Sequence, residues 1–386
     1  MKYNRILFVG GYPNAVKKYF RIFYANLIRQ IADMGYECHV IAPVSITNYR
    51  KKIMEVPEKE IDYSAAGNPI YIYHPRYISY SSKNVFSFNT GILSETAFQK
   101  SALNFAKKLD NKFDFVYGHF FLSGGLAAVK IGNMLNVPSF IAYGECDYQS
   151  QVIGGYRQLN SNDVRGLTGI ISVSSKNTNE LSEFEFLKNI PTITAPNSVD
   201  MKLFYKRDKN ESRRKLGLPK DKFIVGFVGG FIERKGDKRL LAAINSIDDV
   251  YLACAGQGDN PPSGDKVLFC QPVEHKNIPI FLNAMDVFCL PTLNEGSCNA
   301  IIEAASCGLP VISSNLPFND DFLTDDNSIR INPNSVDDIK NAILKLKENP
   351  DYLYKIADKI YRDSQEFSIE KRADKILNFI SSVIEN

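Results

Sequence analysis

The chain has 386 residues, a length that at roughly 150 residues per domain suits two large domains and excludes a single small module. Charged residues make up 23% and hydrophobic ones 44%, an ordinary globular balance that excludes wholesale disorder. The 46 lysines and arginines against 43 acidic residues leave a net charge of +3, too weak a field to argue for nucleic acid as a partner, so any anion site must be local.

In chain order, an apolar run from Met1 stops at Gly10-Gly11, too brief for a signal-peptide core. Its strand, Arg5 to Val9, is followed by a predicted helix from Ala15 to Met34 with Phe20, Phe23, Leu27, Ile28 and Ile31 on one face. Strands are expected at 37–41, 70–73, 113–117, 139–143 and 169–173, alternating with helical stretches. That alternation defines a parallel sheet flanked by helices. The same grammar restarts at Phe223 to Gly229, so the fold class is α/β, with two Rossmann-like doubly wound domains facing across a cleft. The linker composition around Pro196-Asn197-Ser198 sets the expected domains at 1–199 plus 368–386 and at 200–367. The last segment, Ser368 to Glu385, carries Ile369, Ala373, Ile376, Ile380 and Val383 on one stripe and must dock on another element. No later run reaches the roughly 18 apolar residues of a membrane span. Seven scattered cysteines (Cys38, Cys146, Cys254, Cys270, Cys289, Cys298, Cys307) without C-x-x-C spacing suit a reducing, cytoplasmic setting and no metal site.

Ligands of open α/β sheets bind outside the carboxyl ends of the strands, so the loops there hold the candidate chemistry. The most informative runs from Pro291 to Ile312: strand Val287 to Leu290, a loop with Glu295, Gly296 and Ser297, a short helix from Asn299 to Ser306 holding Glu303, then Gly308 as the helix stop. Glu295 and Glu303 are eight positions apart, a spacing that serves two ends of one polar ligand. Gly296 and Ser297 stand at the helix amino end, where free N–H groups attract phosphate. A carboxylate such as Glu303 accepts hydrogen bonds from a ribose diol. A second turn, Val228-Gly229-Gly230-Phe231-Ile232-Glu233-Arg234-Lys235-Gly236, brings paired cations to a strand end, where they neutralise a diphosphate. The Gly10-Gly11 turn is its counterpart in the first half, without the G-x-G-x-x-G spacing of a nicotinamide site. His119, Tyr143 and Glu145 follow strands of the first domain and are acceptor-side candidates.

At these residues the chain resembles the family 4 retaining glycosyltransferases, also called glycosyltransferase group 1, which have the GT-B fold and include bacterial polysaccharide-biosynthesis enzymes. The resemblance rests on Glu295-x7-Glu303 within its long block, on Phe227 to Gly236, on Pro196-Asn197-Ser198-Val199-Asp200, and on Ala255-Gly256-Gln257-Gly258. It implies a metal-independent, retaining enzyme that needs no cofactor and takes a nucleotide diphosphate sugar as donor. Glu303 would hold the ribose, Glu295 the transferred sugar, and Lys235 the leaving diphosphate. Gly296, Ser297, Cys298, Arg234, Gly229, Gly230, Gly10 and Gly11 would complete the donor contacts. The acceptor would be a saccharide, lipid-linked as in many such enzymes, in surface polysaccharide assembly (capsule or lipopolysaccharide type). The chain departs from the family's pattern at Gly230, where an arginine is usual, and at Tyr143, where a histidine is common. A basic, aromatic face (Lys17, Lys18, Arg21, Tyr19, Phe20, Tyr24, and Arg50-Lys51-Lys52) suits peripheral contact with an anionic membrane surface. The alternatives are a nucleotide-sugar-binding protein without activity and a two-domain nicotinamide-dependent dehydrogenase.

Overall fold

The computed structural model describes residues 4–385 except 19, 86–87, 111 and 147–158. Tyr19 and the first three residues of the leading apolar run therefore lie outside the described residues. The chain divides into two compact units, Met1–Ala195 with Arg372–Asn386, and Pro196–Lys371.

The first unit is built on an eight-stranded sheet. In chain order its strands are β1 (Arg5–Val9), β2 (Glu37–Ile41), β3 (Lys59–Tyr63), β4 (Pro69–Tyr73), β5 (Phe115–His119), β6 (Ser139–Tyr143), β7 (Gly169–Ser172) and β8 (Thr192–Thr194). Their spatial order is β8-β7-β6-β5-β1-β2-β4-β3, parallel except for β3, which pairs antiparallel with β4 at one edge. The central strands are continuous apolar runs because helices cover both faces: Ile6, Leu7, Phe8 and Val9 of β1 are all fully buried. The order reverses between β1 and β5, which puts the ends of these two strands at a topological switch point.

The helix after β1 is shorter than its periodicity predicts. The element α1 spans Ile22–Asp33, not Ala15 to Met34. Asn14 stops it early, its Oδ1 accepting from the N–H groups of Val16 and Lys17, and Arg21 enters the helix in the left-handed region (φ 54°, ψ 40°). Phe20 consequently lies outside the helix and exposed, while Tyr24, Leu27, Ile28 and Ile31 form the buried face. The element α2 (Leu126–Leu135) packs on β5 and β6 beyond a π-helical turn, Phe120–Gly125.

The second unit carries six parallel strands: β9 (Phe223–Val228), β10 (Val250–Ala255), β11 (Val267–Gln271), β12 (Val287–Leu290), β13 (Val311–Ser314) and β14 (Ile329–Ile331), ordered β11-β10-β9-β12-β13-β14. The reversal falls between β9 and β12, the strands that precede the cationic turn and the acidic loop. After β9 comes α3 (Asp237–Asn245), and after β12 comes α4 (Asn299–Ser306). The chain then returns through α5 (Ile369–Glu385), started by Ser368, whose Oγ accepts from the N–H of Lys371. Ala373, Ile376, Leu377 and Ile380 of α5 are buried in one cluster with Phe115, Phe140 and Ile171 of the first sheet.

Candidate functional site

In the second unit two loops meet because their backbones are tied together. The turn after β9 closes with Lys235 N–H donating to the Ile232 carbonyl, and Gly236 takes φ 79°, a left-handed conformation that suits glycine. A Cβ at Gly236 would sit 2.5 Å from the Pro291 carbonyl oxygen, so the turn presses directly on the start of the acidic loop. Arg239 of α3 braces both, its Nη1 donating to Glu233 Oε1 (2.6 Å) and its Nη2 to the Pro291 carbonyl (3.0 Å). Leu293 N–H then donates to the Arg234 carbonyl at 2.8 Å.

This scaffold brings Glu295, Arg234 and Lys235 together. Glu295 is buried, and its Oε1 lies 2.6 Å from Lys235 Nζ and 2.8 Å from Arg234 Nη1 while accepting from Thr292 Oγ1 at 2.9 Å. Arg234 Nη1 also donates to the Asn294 carbonyl. Burial works against the Lys235 ammonium, but Cys298 and Glu295 outweigh it and hold its pKa above the ordinary lysine value. The ammonium form of Lys235 is thus favoured beside Glu295. Cys298 occupies the N-cap of α4, and burial pushes its thiol up to about 11, so it stays protonated.

Gly296 and Ser297 lead into α4. Their N–H groups have no acceptor among the described residues, which leaves them directed to a ligand or solvent. Ser297 is fixed from its other side: its Oγ accepts from Asn197 N–H (3.1 Å) and its carbonyl from Asn197 Nδ2 (3.0 Å). Glu303, further along α4 and buried, has its Oε1 3.2 Å from His275 Nε2. His275 was missed by motif reading, although the rule that strand-end loops carry function finds it on the loop after β11.

Gly229 and Gly230 stand beside the Ala255 to Gly258 turn. A Cβ on Gly256 would lie 1.9 Å from the Gly229 carbonyl oxygen, so this approach requires glycine at Gly256. At Gly230 the nearest atom to an added Cβ is the Gln257 carbonyl oxygen at 3.8 Å, and the position is sterically open.

In the first unit the Gly10-Gly11 turn ends β1 beside His119, which ends β5; an added Cβ on Gly10 would meet His119 Cβ at 3.0 Å. His119 is buried, stacked on Tyr24 with ring centroids 4.2 Å apart, and neither ring nitrogen has a hydrogen-bond partner. Burial, and then the charges of Arg21 and Arg372, depress its pKa well below the usual histidine value, so the imidazole is neutral. Glu145 is buried as well. Its two oxygens accept from Phe121 N–H (2.6 Å) and Gly144 N–H (3.1 Å), tying the end of β6 to the π-helical turn. Burial raises its pKa to about 7 against those two hydrogen bonds.

Tyr143, the third acceptor-side candidate, is buried. It packs into an apolar cluster with Phe121 and Ile141, its hydroxyl donating to Glu180. The basic, aromatic face is also changed. Lys17 and Lys18 precede α1 rather than lying on it, Tyr24 is a core residue, and the Arg21 guanidinium sits between the Phe20 and Phe120 rings.

A two-unit α/β protein with parallel sheets and glycine turns at both switch points has the fold of GT-B glycosyltransferases. The family model of glycosyl transferases group 1 matches residues 208–363, a stretch that includes Lys235, Glu295 and Glu303. Along 96% of its length the chain is 24% identical to TuaC of Bacillus subtilis (strain 168), a teichuronic acid biosynthesis glycosyltransferase, covering 96% of that protein. Over 50% of the chain it is 29% identical to 54% of an Escherichia coli UDP-Gal:alpha-D-GlcNAc-diphosphoundecaprenol alpha-1,3-galactosyltransferase. Its fold superposes on sucrose-phosphate synthase from Thermosynechococcus elongatus with TM-score 0.78, 18% identity and 99% of each chain covered. It also superposes on Anabaena HepE in complex with UDP, with TM-score 0.70, 14% identity, 98% of this chain and 100% of that one. The chain thus carries a glycosyl transferases group 1 domain and is a glycosyltransferase, an enzyme that transfers a sugar.

Proposed function

We propose that the enzyme transfers a sugar, with retention and without a metal, from a nucleotide diphosphate sugar to a saccharide hydroxyl. The observation that carries this reading is Glu295 held by Lys235 and Arg234 at the mouth of α4, with Glu303 further along the same helix. A departing nucleoside diphosphate needs positive charge, and Lys235, Arg234 and the unpaired N–H groups of Gly296 and Ser297 supply it from fixed positions. Once the diphosphate occupies these cations, Glu295 is released from part of its ion pairing and turns its carboxylate to the sugar hydroxyls. Glu303, oriented by His275, takes the ribose diol. The leaving phosphate oxygen receives the acceptor's proton on the face it vacates, which gives retention.

Glu295→Gln and Lys235→Ala should each lower kcat by about two to four orders of magnitude with an unchanged fold, measured by sugar transfer and circular dichroism. Near-normal turnover in either variant would remove the basis of this reading. Glu303→Ala should chiefly weaken UDP binding, read by calorimetry.

The acceptor in this reading is lipid-linked and belongs to surface polysaccharide assembly at the inner face of a cell membrane. Support comes from the exposed Lys17, Lys18, Arg50, Lys51 and Lys52, with Phe20 and Met54 exposed among them. Among the described residues no helix is long and apolar enough to cross a membrane. Binding to anionic vesicles that weakens with salt and with Lys51→Glu/Lys52→Glu is the expected result, and indifference to such vesicles would end this part of the reading.

A further inference from the structure

Two bulky residues of the first unit, Arg21 and Phe120, have left-handed backbones (φ 54° and 65°) although neither is glycine, and they touch. Such strain persists only where the surroundings impose it, and it gathers at ligand clamps. Here it places the Arg21 guanidinium 4.6 Å from the Phe120 ring centroid and 5.1 Å from that of Phe20. An added Cβ on Gly11 would be 3.3 Å from Arg21 Nη1, so the cation borders the Gly10-Gly11 turn.

Arg21 makes no ion pair and no hydrogen bond through its guanidinium among the described residues, and the one carboxyl that acts on it, buried Glu145, does so from beyond ion-pair distance and is itself raised to about 7. Next to it His119 offers one N–H and one lone pair, both unused, and it is only 5% exposed. Arg372 is a buried cation without an ion-pair partner among the described residues, its charge felt by both His119 and Tyr117. The hydroxyls of Tyr24 and Tyr117, which flank this cluster, are also unpaired. A buried cation without counter-charge is costly, and Arg372, with the half-buried Arg21 that makes no ion pair, leaves this cluster short of negative charge beside a neutral imidazole. A planar guanidinium stacked between rings presents its N–H edge to a phosphate or carboxylate. Arg21 is itself partly exposed, beside the exposed Phe20 ring.

We propose that Arg21 and His119 form a seat in the first unit for an acidic group, phosphate or carboxylate, carried by the acceptor saccharide, with Arg21 holding the charge and His119 an adjacent hydroxyl. The assignment of this anion to the acceptor rests on the proposed transfer reaction; the anion seat itself does not.

The test uses the full chain with Lys235→Ala, which silences the phosphate site proposed in the second unit, and follows thermal unfolding with glucose 1-phosphate, glucuronate or glucose. A rise of about 2–4 °C with one or both acidic sugars, and none with glucose, is expected. Arg21→Gln in the same background should abolish the rise, and a rise that survives, or is absent from the start, overturns the seat. Which acidic sugar responds decides between phosphate and carboxylate. Should Arg21→Gln fail to fold by circular dichroism, Phe120→Gly, which relieves the left-handed strain and removes one face of the clamp, must reduce the rise instead. UDP is the separate arm, in chains with native Lys235. Its rise should vanish in Glu303→Ala and persist in Arg21→Gln. Loss of the UDP response in Arg21→Gln would make the anion the donor's own diphosphate and overturn the acceptor assignment. A UDP response that survives Glu303→Ala would count against the proposed donor site alone and leave the seat to the acidic sugars.

Discussion

Glu145 shows how burial turns one carboxyl into a determinant of stability. Its pKa lies at about 7 in the folded chain against 4.5 for an ordinary glutamate, so between these values the folded state holds a proton that the unfolded state has lost. Its contribution is complete below about pH 4.5, falls as the pH rises toward 7, and levels off above it. Unfolding by urea at pH 4.5, 6 and 8 should show this decline in the native chain, and Glu145→Gln should flatten it. Parallel curves for the two proteins would show that Glu145 is not the titrating group. Gly230 is the opposite kind of residue, unburdened by contacts. Because an added Cβ there meets nothing closer than 3.8 Å, Gly230→Arg should fold normally and, by adding a cation beside the proposed diphosphate site, lower the Kd for UDP by about tenfold. An unchanged Kd would mean that a side chain at this position does not reach the phosphates.

Among the elements, the glycine turns decide how closely two loops approach. Gly256→Ala would set a methyl group 1.9 Å from the Gly229 carbonyl oxygen, and the backbone must move to relieve it. A loss of about 2 kcal/mol or more, together with weaker UDP binding, is the expected outcome, measured by urea unfolding and calorimetry. Much at this scale is legible in the sequence. The strands Arg5–Val9, Glu37–Ile41, Ser139–Tyr143 and Val287–Leu290 and the helix Asn299–Ser306 fall where apolar runs, Gly308 and the loop composition put them. The helix start at Ile22 does not, because the amphipathic stripe continues through Phe20 while the break comes from a side-chain bond of Asn14 and the backbone of Arg21. Edge strand Lys59–Tyr63 is charged at three of its five positions and exists because β4 offers it a partner. In the site, Glu295 and Lys235 are readable as a motif, whereas His275 and Arg21 gain their meaning only from what tertiary packing sets beside them.

At the scale of the whole chain, the last helix belongs to the unit in which the sequence began. The stretch Arg372–Asn386 completes the first unit, and Ala373, Ile376, Leu377 and Ile380 fill one core with Phe115, Phe140 and Ile171. Lys235, Glu295 and Glu303, the residues proposed to hold the donor, all lie in the other unit. Stability and donor binding are therefore separable by mutation. Ile376 is fully buried, so Ile376→Ala removes apolar contacts and leaves a cavity that costs about 2–5 kcal/mol. The damage is confined to a core outside the proposed donor site. Hydrogen exchange read by mass spectrometry should then show lost protection in β1, β5 and β6 but not in β9 or β12, while the Kd for UDP stays within about twofold. Equal loss of protection across both sheets would show that the two units unfold as a single cooperative body, and the core beneath α5 would then support donor binding as well.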